Sequence, residues 1–416
     1  MFFLYQIFLT ILILISPIII FFRIIKNKED KKRFVEKFSI FSKKRVKGKL
    51  IWFHGASVGE ILSVIPVIKK YEKDKSVNQI LITSSTLSSS KVLLKFKFKK
   101  TIHQFYPVDY FFFTNKFLKY WRPDIAIFID SEIWPCMFKT LDNLKIPLVL
   151  LNARITKKTF IRWMKIKKFS KFIFSKISVA FPQNLETKKY LKKLKVKKIN
   201  VIGNLKFAET ENKNQDKINH QLELQLKNKK IWVASSTHAN EEVFCAKVHI
   251  ELKKKFKNLV TIIIPRHVHR AKKIMQEIKN LKLKVITHSS KNIKLKDTDI
   301  YLVDTFGETK KFHKMSHSVF IGGSIVKKGG QNPLEAARYG AKIFHGPNID
   351  NFKDVYKLLK SLQISNLINS SKKLASSINF NPSKANGNKI KKIGRIILKK
   401  TIKELDYLIK DEFKKT

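Results

Sequence analysis

The stretch LIWFHGASVGEILSVIPVIKKYEK, Leu50 to Lys73, decides the fold. LIWFH is a continuous apolar run closed by one histidine, as expected of a strand covered on both faces. ILSVIPVIKKYEK then follows a helical spacing. Between them, two glycines, a serine and a carboxylate make a turn, so the segment reads strand, turn, helix, half of a βαβ unit. Ser57 and Glu60 stand in the S-x-x-E relation of a capping box. Gly59 in the first helical turn costs about 1 kcal/mol against Ala, a cost that a purely structural helix start has no use for. A glycine there lets a ligand approach closely. Glu60 therefore reads as a cap, as a base, or as both.

The pattern repeats along the chain. In the first half LIWFH, QILITSS, DIAIFID, IPLVLLN, ISVAF and INVIG read as strands, and in the second half KIWVASS, LVTIIIP, LKVITH, IYLVD, HSVFIGG and AKIFHG do. Most are continuous apolar runs, which suits parallel strands with helices on both sides. The chain is expected to form two doubly wound, Rossmann-like α/β domains facing a cleft, over 34–207 and 231–400. Residues 208–230, polar and free of Gly and Pro, read as a linker with a surface helix, and 401–416 as a C-terminal helix and tail. Ligands of such sheets sit at the carboxyl ends of strands. HGASVGE, DSEIWP, NARIT, GNLK, SSTHANEE, PRHVHR, DTFGE, GGSIVKKGGQNPLE and HGPNIDNF each follow a strand.

The 416 residues suffice for two ordinary cores, and 44% hydrophobic residues exclude a disordered chain. Cys136 and Cys245 are far apart and lack metal-ligand spacing, which argues against a disulfide scaffold or zinc site and suits a reducing compartment. The 86 Lys and Arg against 31 Asp and Glu give a net charge of +55. Such a field suits nucleic acid, an anionic lipid surface, or a compositional drift toward Lys, Ile, Phe and Asn. The basic residues are dispersed along the whole chain and no nucleic-acid-binding motif is present, so nucleic acid is not expected as a partner.

Residues 1–22 carry no charged side chain, and about 20 apolar residues span a bilayer. Arg23, Lys26, Lys28, Lys31, Lys32 and Arg33 follow, which places the next domain in the cytoplasm. The segment 1–25 is expected to be an uncleaved, single-pass transmembrane anchor. TFIRWMKIKKFSKFIFSKI (159–177) mixes aromatics and lysines at helical spacing and fits either a helix with one core face or one seated on an anionic membrane. KVLLKFKFKK (91–100) is a shorter case.

The glycine-rich GGSIVKKGGQNPLEAARYG offers backbone N–H groups to a phosphate at a helix start. Its structural alternative is a cap by Asn332, with Pro333 first and Glu335 third in the helix. It matches neither a G-x-G-x-x-G fingerprint nor a Walker loop. Arg266, at a strand end, suits a phosphate or carboxylate. His267 and His269 lack a partner cluster, so no metal is expected. Arg270 reads as solvated. In DTFGE, Asp304 or Thr305 is a candidate cap. Asp130 and Glu132 stand two apart and share a side if the chain stays extended.

In order, the anchor, SVGE, SEIWP, NARIT, GNLKF, STHANEE, PRH, DTFGE, GGSIVKKGGQNPLEAA and GPNIDNF resemble the 3-deoxy-D-manno-octulosonic acid (Kdo) transferases of lipopolysaccharide synthesis. The resemblance implies a GT-B glycosyltransferase fold. It also implies inverting transfer of Kdo from CMP-Kdo to the lipid A precursor (lipid IVA) at the cytoplasmic face of the cell inner membrane, without a metal or other cofactor. By position, Glu60 falls on the proton acceptor, and Asp130 and Lys206 on transition-state stabilisers. Pro265, Arg266, Phe306, Gly307, Glu308, Asn332, Pro333, Leu334 and Glu335 fall on the CMP-binding segments. The family usually has Glu where Asp130 stands, Met at Phe306 and His at Gln331. Another GT-B transferase with a different nucleotide-sugar donor or lipid acceptor is the alternative.

Overall fold

The computed structural model describes residues 1–208, 218–381 and 384–415. Two compact units emerge, residues 1–210 with 394–416, and residues 211–393. In the first unit the strands are β1 (Leu50–His54), β2 (Gln79–Ser84), β3 (Thr101–Phe105), β4 (Ile125–Ile129), β5 (Leu148–Ala153), β6 (Val179–Pro182) and β7 (Lys198–Ile199). Every pairing is parallel, in the order β3-β2-β1-β4-β5-β6-β7. The chain reverses its winding between β1 and β4, which makes their carboxyl ends the switch point of the sheet. The central strands are buried along their whole length, and Trp52, Phe117, Phe128 and Phe138 fill the core beneath them.

The second unit holds β8 (Lys230–Thr237), β9 (Leu259–Pro265), β10 (Val285–Thr287), β11 (Ile300–Leu302), β12 (Ser318–Ile321), β13 (Lys342–His345) and β14 (Ser365–Leu367). They run parallel in the order β10-β11-β9-β8-β12-β13-β14, over a core containing Trp232, Ile263, Phe320 and Phe344.

Two strands escape a search for apolar runs. β3 and β14 are sheet edges, with polar or exposed positions in TIHQF and SNL, because only one side has a neighbour to pair with. Of INVIG only Ile199 is strand; with Lys198 before it, it makes the two-residue β7. The expected boundary at 400 is corrected as well. One helix runs from Lys384 to Lys415, and from Gly394 onward it belongs to the first unit. There the bare Gly394 lies on the Phe207 backbone, and Asp406 takes hydrogen bonds from Lys70 and from the Tyr71 hydroxyl. Of the linker 208–230, residues 209–217 lie outside the described residues, and a helix occupies His220–Lys227.

The apolar N-terminus forms one helix, Phe2–Ile25, long and apolar enough to cross a membrane. Its first turns touch the first unit. The Tyr5 hydroxyl donates to Asp109 Oδ2 at 2.8 Å, Gln6 Nε2 donates to Cys136 Sγ at 2.6 Å, and Lys139 sits 4.4 Å over the Phe2 ring. Most of its other apolar side chains are exposed. The aromatic stretch 159–177 becomes two helices, Lys157–Lys165 and Lys167–Phe174. Ile173 and Phe174 enter the core while Ile161 and Phe172 face out. In 91–100 the helix stops at Leu93, and Phe96 stacks on Phe98 instead of extending a helical face.

Candidate active site

At the carboxyl edge of the first sheet, β1 and β4 are direct neighbours, with His54 opposite Phe128. The loops that follow them, 55–60 and 130–134, therefore leave the sheet side by side. Ser57 caps the helix Val58–Glu72 as the sequence predicts, and the capping box is complete. Glu60 Oε2 accepts from Ala56 N at 2.7 Å and Ser57 N at 3.3 Å, while Oε1 accepts from the Ser57 hydroxyl at 2.8 Å. A carboxylate offers about four acceptor positions, so these three bonds leave one on Oε1. Partial burial is the main reason that the Glu60 pKa rises to about 7, and the negative charges of Glu132 and Asp130 add to it, against the Ser57 hydrogen bonds that lower it.

Asp130 is buried and adopts the left-handed backbone region at φ +64°, unusual for a residue with a side chain. That turn carries its carboxylate to Lys206, whose Nζ lies 3.1 Å from Oδ2, and Gln183 Nε2 donates to the same oxygen at 3.4 Å. Lys206 comes from the short turn Leu205–Ala208, which packs against the helix Val58–Glu72 and is pinned where Leu205 N donates to Asn152 Oδ1. The three residues Glu60, Asp130 and Lys206 thus converge on one sheet edge.

Sequence reasoning undervalued what stands behind them. Glu132 Oε2 accepts from Trp134 Nε1 at 2.9 Å and from His54 Nε2 at 3.3 Å. His54 is fully buried; its Nδ1 lies 2.9 Å from Thr83 Oγ1, which in turn accepts from Trp52 Nε1. Burial pushes the His54 pKa below its ordinary value, so the ring is neutral at pH 7. The legible signal was a histidine closing a buried strand.

The second unit gathers the other segments at its own carboxyl edge. Pro265 ends β9, and Arg266 beside it is exposed, its N–H donating to Thr237 O. β11 pairs with β9, so the loop that carries Phe306, Gly307 and Glu308 and the one that carries Arg266 leave neighbouring strands. Phe306 is 79% exposed, and Glu308 pairs with Lys311 at 2.7 Å. Pro333 and Leu334 are buried at the start of the helix Leu334–Arg338, and Asn332 Oδ1 accepts from Leu334 N at 3.1 Å. Glu335 reaches Lys310 and His313 at 3.8 and 3.6 Å, tying the helix Thr309–Met315, which follows the 306–308 segment, to the 332–335 segment.

Three readings are corrected here. Arg270 is no solvated side chain but forms a two-pronged pair with buried Glu242, at 2.8 and 3.3 Å. Asp304 caps no helix; it accepts from Ser289 N, and the next helix begins at Thr309. The glycine-rich turn is already filled by a carboxylate of the chain itself. Fully buried Glu241 accepts from the backbone N–H groups of Gly323, Ser324 and Ile325 at 2.6, 3.0 and 2.9 Å, and from His238 N at 2.9 Å. Gly322 is bare because a Cβ there meets the Ser236 carbonyl oxygen. Those N–H groups serve the fold and not a phosphate.

Comparison with known proteins agrees with the order of motifs. Residues 32–209 match the family model described as 3-Deoxy-D-manno-octulosonic-acid transferase (kdotransferase). The chain is 35% identical to the 3-deoxy-D-manno-octulosonic acid transferase of Rickettsia bellii, over 84% of each protein. It is 38% identical to the protein of that name from Rickettsia felis, over 74% of this chain and 66% of the relative, a little under two thirds of its length. Among solved structures, an Anabaena protein in complex with UDP superposes with a TM-score of 0.55 at 11% identity, covering 87% of this chain and all of that one, a likeness of fold. On sequence similarity of this extent, the chain belongs to the 3-deoxy-D-manno-octulosonic acid transferase family.

Proposed function

We propose that the chain is an inverting glycosyltransferase that moves Kdo from CMP-Kdo to the lipid A precursor lipid IVA, with Glu60 as general base. The observation that carries this reading is a carboxylate with one acceptor position to spare and a pKa near 7, beside the Asp130–Lys206 pair. A sugar hydroxyl is a poor nucleophile at neutral pH. As its oxygen attacks the anomeric carbon of Kdo, its proton passes to Glu60 Oε1. The bond from that carbon to the phosphate oxygen breaks, and CMP leaves with the electron pair. A base whose pKa matches the working pH combines availability with driving force and contributes roughly 10²–10⁴-fold. The Lys206 ammonium, held by Asp130, supplies preorganised positive charge for the transition state. Arg266 and the segments 306–308 and 332–335 bind CMP. The reaction needs no metal.

Membrane attachment through the helix Phe2–Ile25 belongs to the same reading, since the acceptor is a lipid. The finer form is a single crossing of the inner membrane with both units in the cytoplasm. The contact of Tyr5 with Asp109 favours a second placement, with the helix lying along the membrane face, because a crossing helix carries its first turn to the far side. A Phe3→Cys variant separates them in intact cells: labelling by a membrane-impermeant maleimide from outside reports a crossing, and labelling only after lysis reports the flat placement.

Mass spectrometry of the product from CMP-Kdo and a tetra-acylated, bis-phosphorylated lipid A precursor tests the activity. The expected outcome is an increment of at least one Kdo mass, lost in Glu60→Gln. An unchanged precursor mass with folded wild-type protein refutes the assignment.

A further inference from the structure

The edge of the first sheet carries three carboxylates, and the structure treats them differently. Asp130 is matched by the Lys206 ammonium at 3.1 Å. Glu132 is met by neutral donors, the Trp134 indole at 2.9 Å and the neutral His54 ring at 3.3 Å. Those donors fix where the Glu132 charge sits without cancelling it. They are themselves rigid. His54 is wholly buried, its ring stacks on Tyr106 with centroids 3.9 Å apart, and its other nitrogen is tied to Thr83. A buried aromatic stack and two hydrogen bonds are a large investment for one loop carboxylate that is only 13% exposed.

Glu132 also stands in the right place. Its loop and that of Glu60 leave adjacent parallel strands. At Gly55 a Cβ would lie 3.2 Å from the Cβ of Glu60 and 3.3 Å from the side chain of Ile129, so Gly55 packs between Glu60 and the last residue of β4, from which the loop with Asp130 and Glu132 departs. Among the described residues, the charged and polar side chains acting on Glu60 are Glu132 and Asp130 from that loop and Ser57 at the cap of its own helix; Lys206 pairs with Asp130, and His54 holds Glu132.

We propose that Glu132 is a positioning residue for Glu60, a fixed and uncancelled negative charge, and that His54 and Trp134 serve to hold it in place. The inference rests on the proposed transfer reaction with Glu60 as base. Like charges disfavour ionisation of a neighbour, so Glu132 makes Glu60 hungrier for the acceptor proton. Burial remains the larger contribution to the raised Glu60 pKa, and Glu132 is the next.

The test is kcat/KM against pH for the full-length chain with CMP-Kdo and the tetra-acylated precursor. In the wild type the acid limb is expected near pH 7. Glu132→Gln keeps an acceptor for Trp134 and His54 but removes the charge. Its limb is expected to move down by roughly half to one pH unit, with a plateau a few-fold lower. Glu132→Asp retains the charge and is expected to keep the limb near its wild-type position. Glu132→Asn provides a second neutral variant with the same expectation as Gln, and circular dichroism checks that each is folded. A wild-type midpoint in a folded neutral variant overturns the inference while leaving the transfer reaction standing. Absence of any Kdo product from wild-type protein overturns both.

Discussion

The helices Val58–Glu72 and Glu241–Lys253 begin alike, each just after the first strand of its sheet and each with a glutamate in its first turn. Their carboxylates do opposite things. Glu241 is fully buried and surrounded by backbone N–H groups from His238, Gly323, Ser324 and Ile325, so its acceptor positions are filled. Glu60 is partly exposed, keeps one acceptor position, and faces two further carboxylates. The fold supplies the place, and the partners decide whether a carboxylate there is structure or chemistry. Saturated with donors, it staples a loop. Short of donors and beside like charge, it is suited to the role of base proposed for Glu60.

The largest expected effects break this comparison in opposite directions. Glu60→Gln keeps the shape and the cap, so the protein is expected to fold while turnover falls by roughly 10²–10⁴-fold. Paired single-turnover rates and thermal melts read both quantities. Glu241→Ala takes the carboxylate partner from the backbone N–H groups of His238, Gly323, Ser324 and Ile325, two of them buried. Leaving buried polar groups unpartnered in this way costs about 3–5 kcal/mol, which chemical denaturation detects as loss of the second unit's transition. A folded, stable Glu241→Ala protein with lost activity breaks the comparison, because Glu241 is then chemistry too.

A smaller effect sharpens it. Ser57 gives Glu60 a hydrogen bond from its hydroxyl and one from its backbone, and both favour the ionised carboxylate. Ser57→Ala removes the first and the helix cap with it. Stability is expected to fall by about 1 kcal/mol. The acid limb of kcat/KM is expected to move to higher pH, since the ionised form has lost a donor. That sign is opposite to the one expected for Glu132→Gln. A limb that moves down instead removes Ser57 from the set of groups that tune the base.

Much of this was legible from residue order alone. LIWFH, DIAIFID and LVTIIIP announce central strands because burial on both faces demands continuous apolar runs. The S-x-x-E spacing foretold a cap that the structure completes. What stayed hidden depends on distant residues. Nothing in NEE shows that Glu241 fills a turn eighty residues later, and GGSIV looks like a phosphate loop until that carboxylate is placed. The same holds for Arg270 and Glu242, and for His54 behind Glu132. The edge strands TIHQF and SNL escaped because half their surroundings are solvent.

Gly59 carries the smallest expected effect and the finest distinction. A Cβ there meets no atom within 4 Å, so neither packing nor backbone conformation in the free protein requires glycine. Helix propensity then favours Gly59→Ala by up to about 1 kcal/mol, and thermal denaturation should show a stabilised protein. If the open space at Gly59 is where an acceptor sugar comes close to Glu60, the same methyl group stands in its way. The expected outcome is a raised KM for the lipid precursor, with an unchanged KM for CMP-Kdo and an unchanged acid limb. A stabilised variant with wild-type KM for both substrates makes Gly59 incidental, and leaves Ser57 and Glu60 to account for the loop. A raised KM for the lipid alone assigns the space in front of Glu60 to the acceptor, a functional glycine at the mouth of a helix that would be steadier without it.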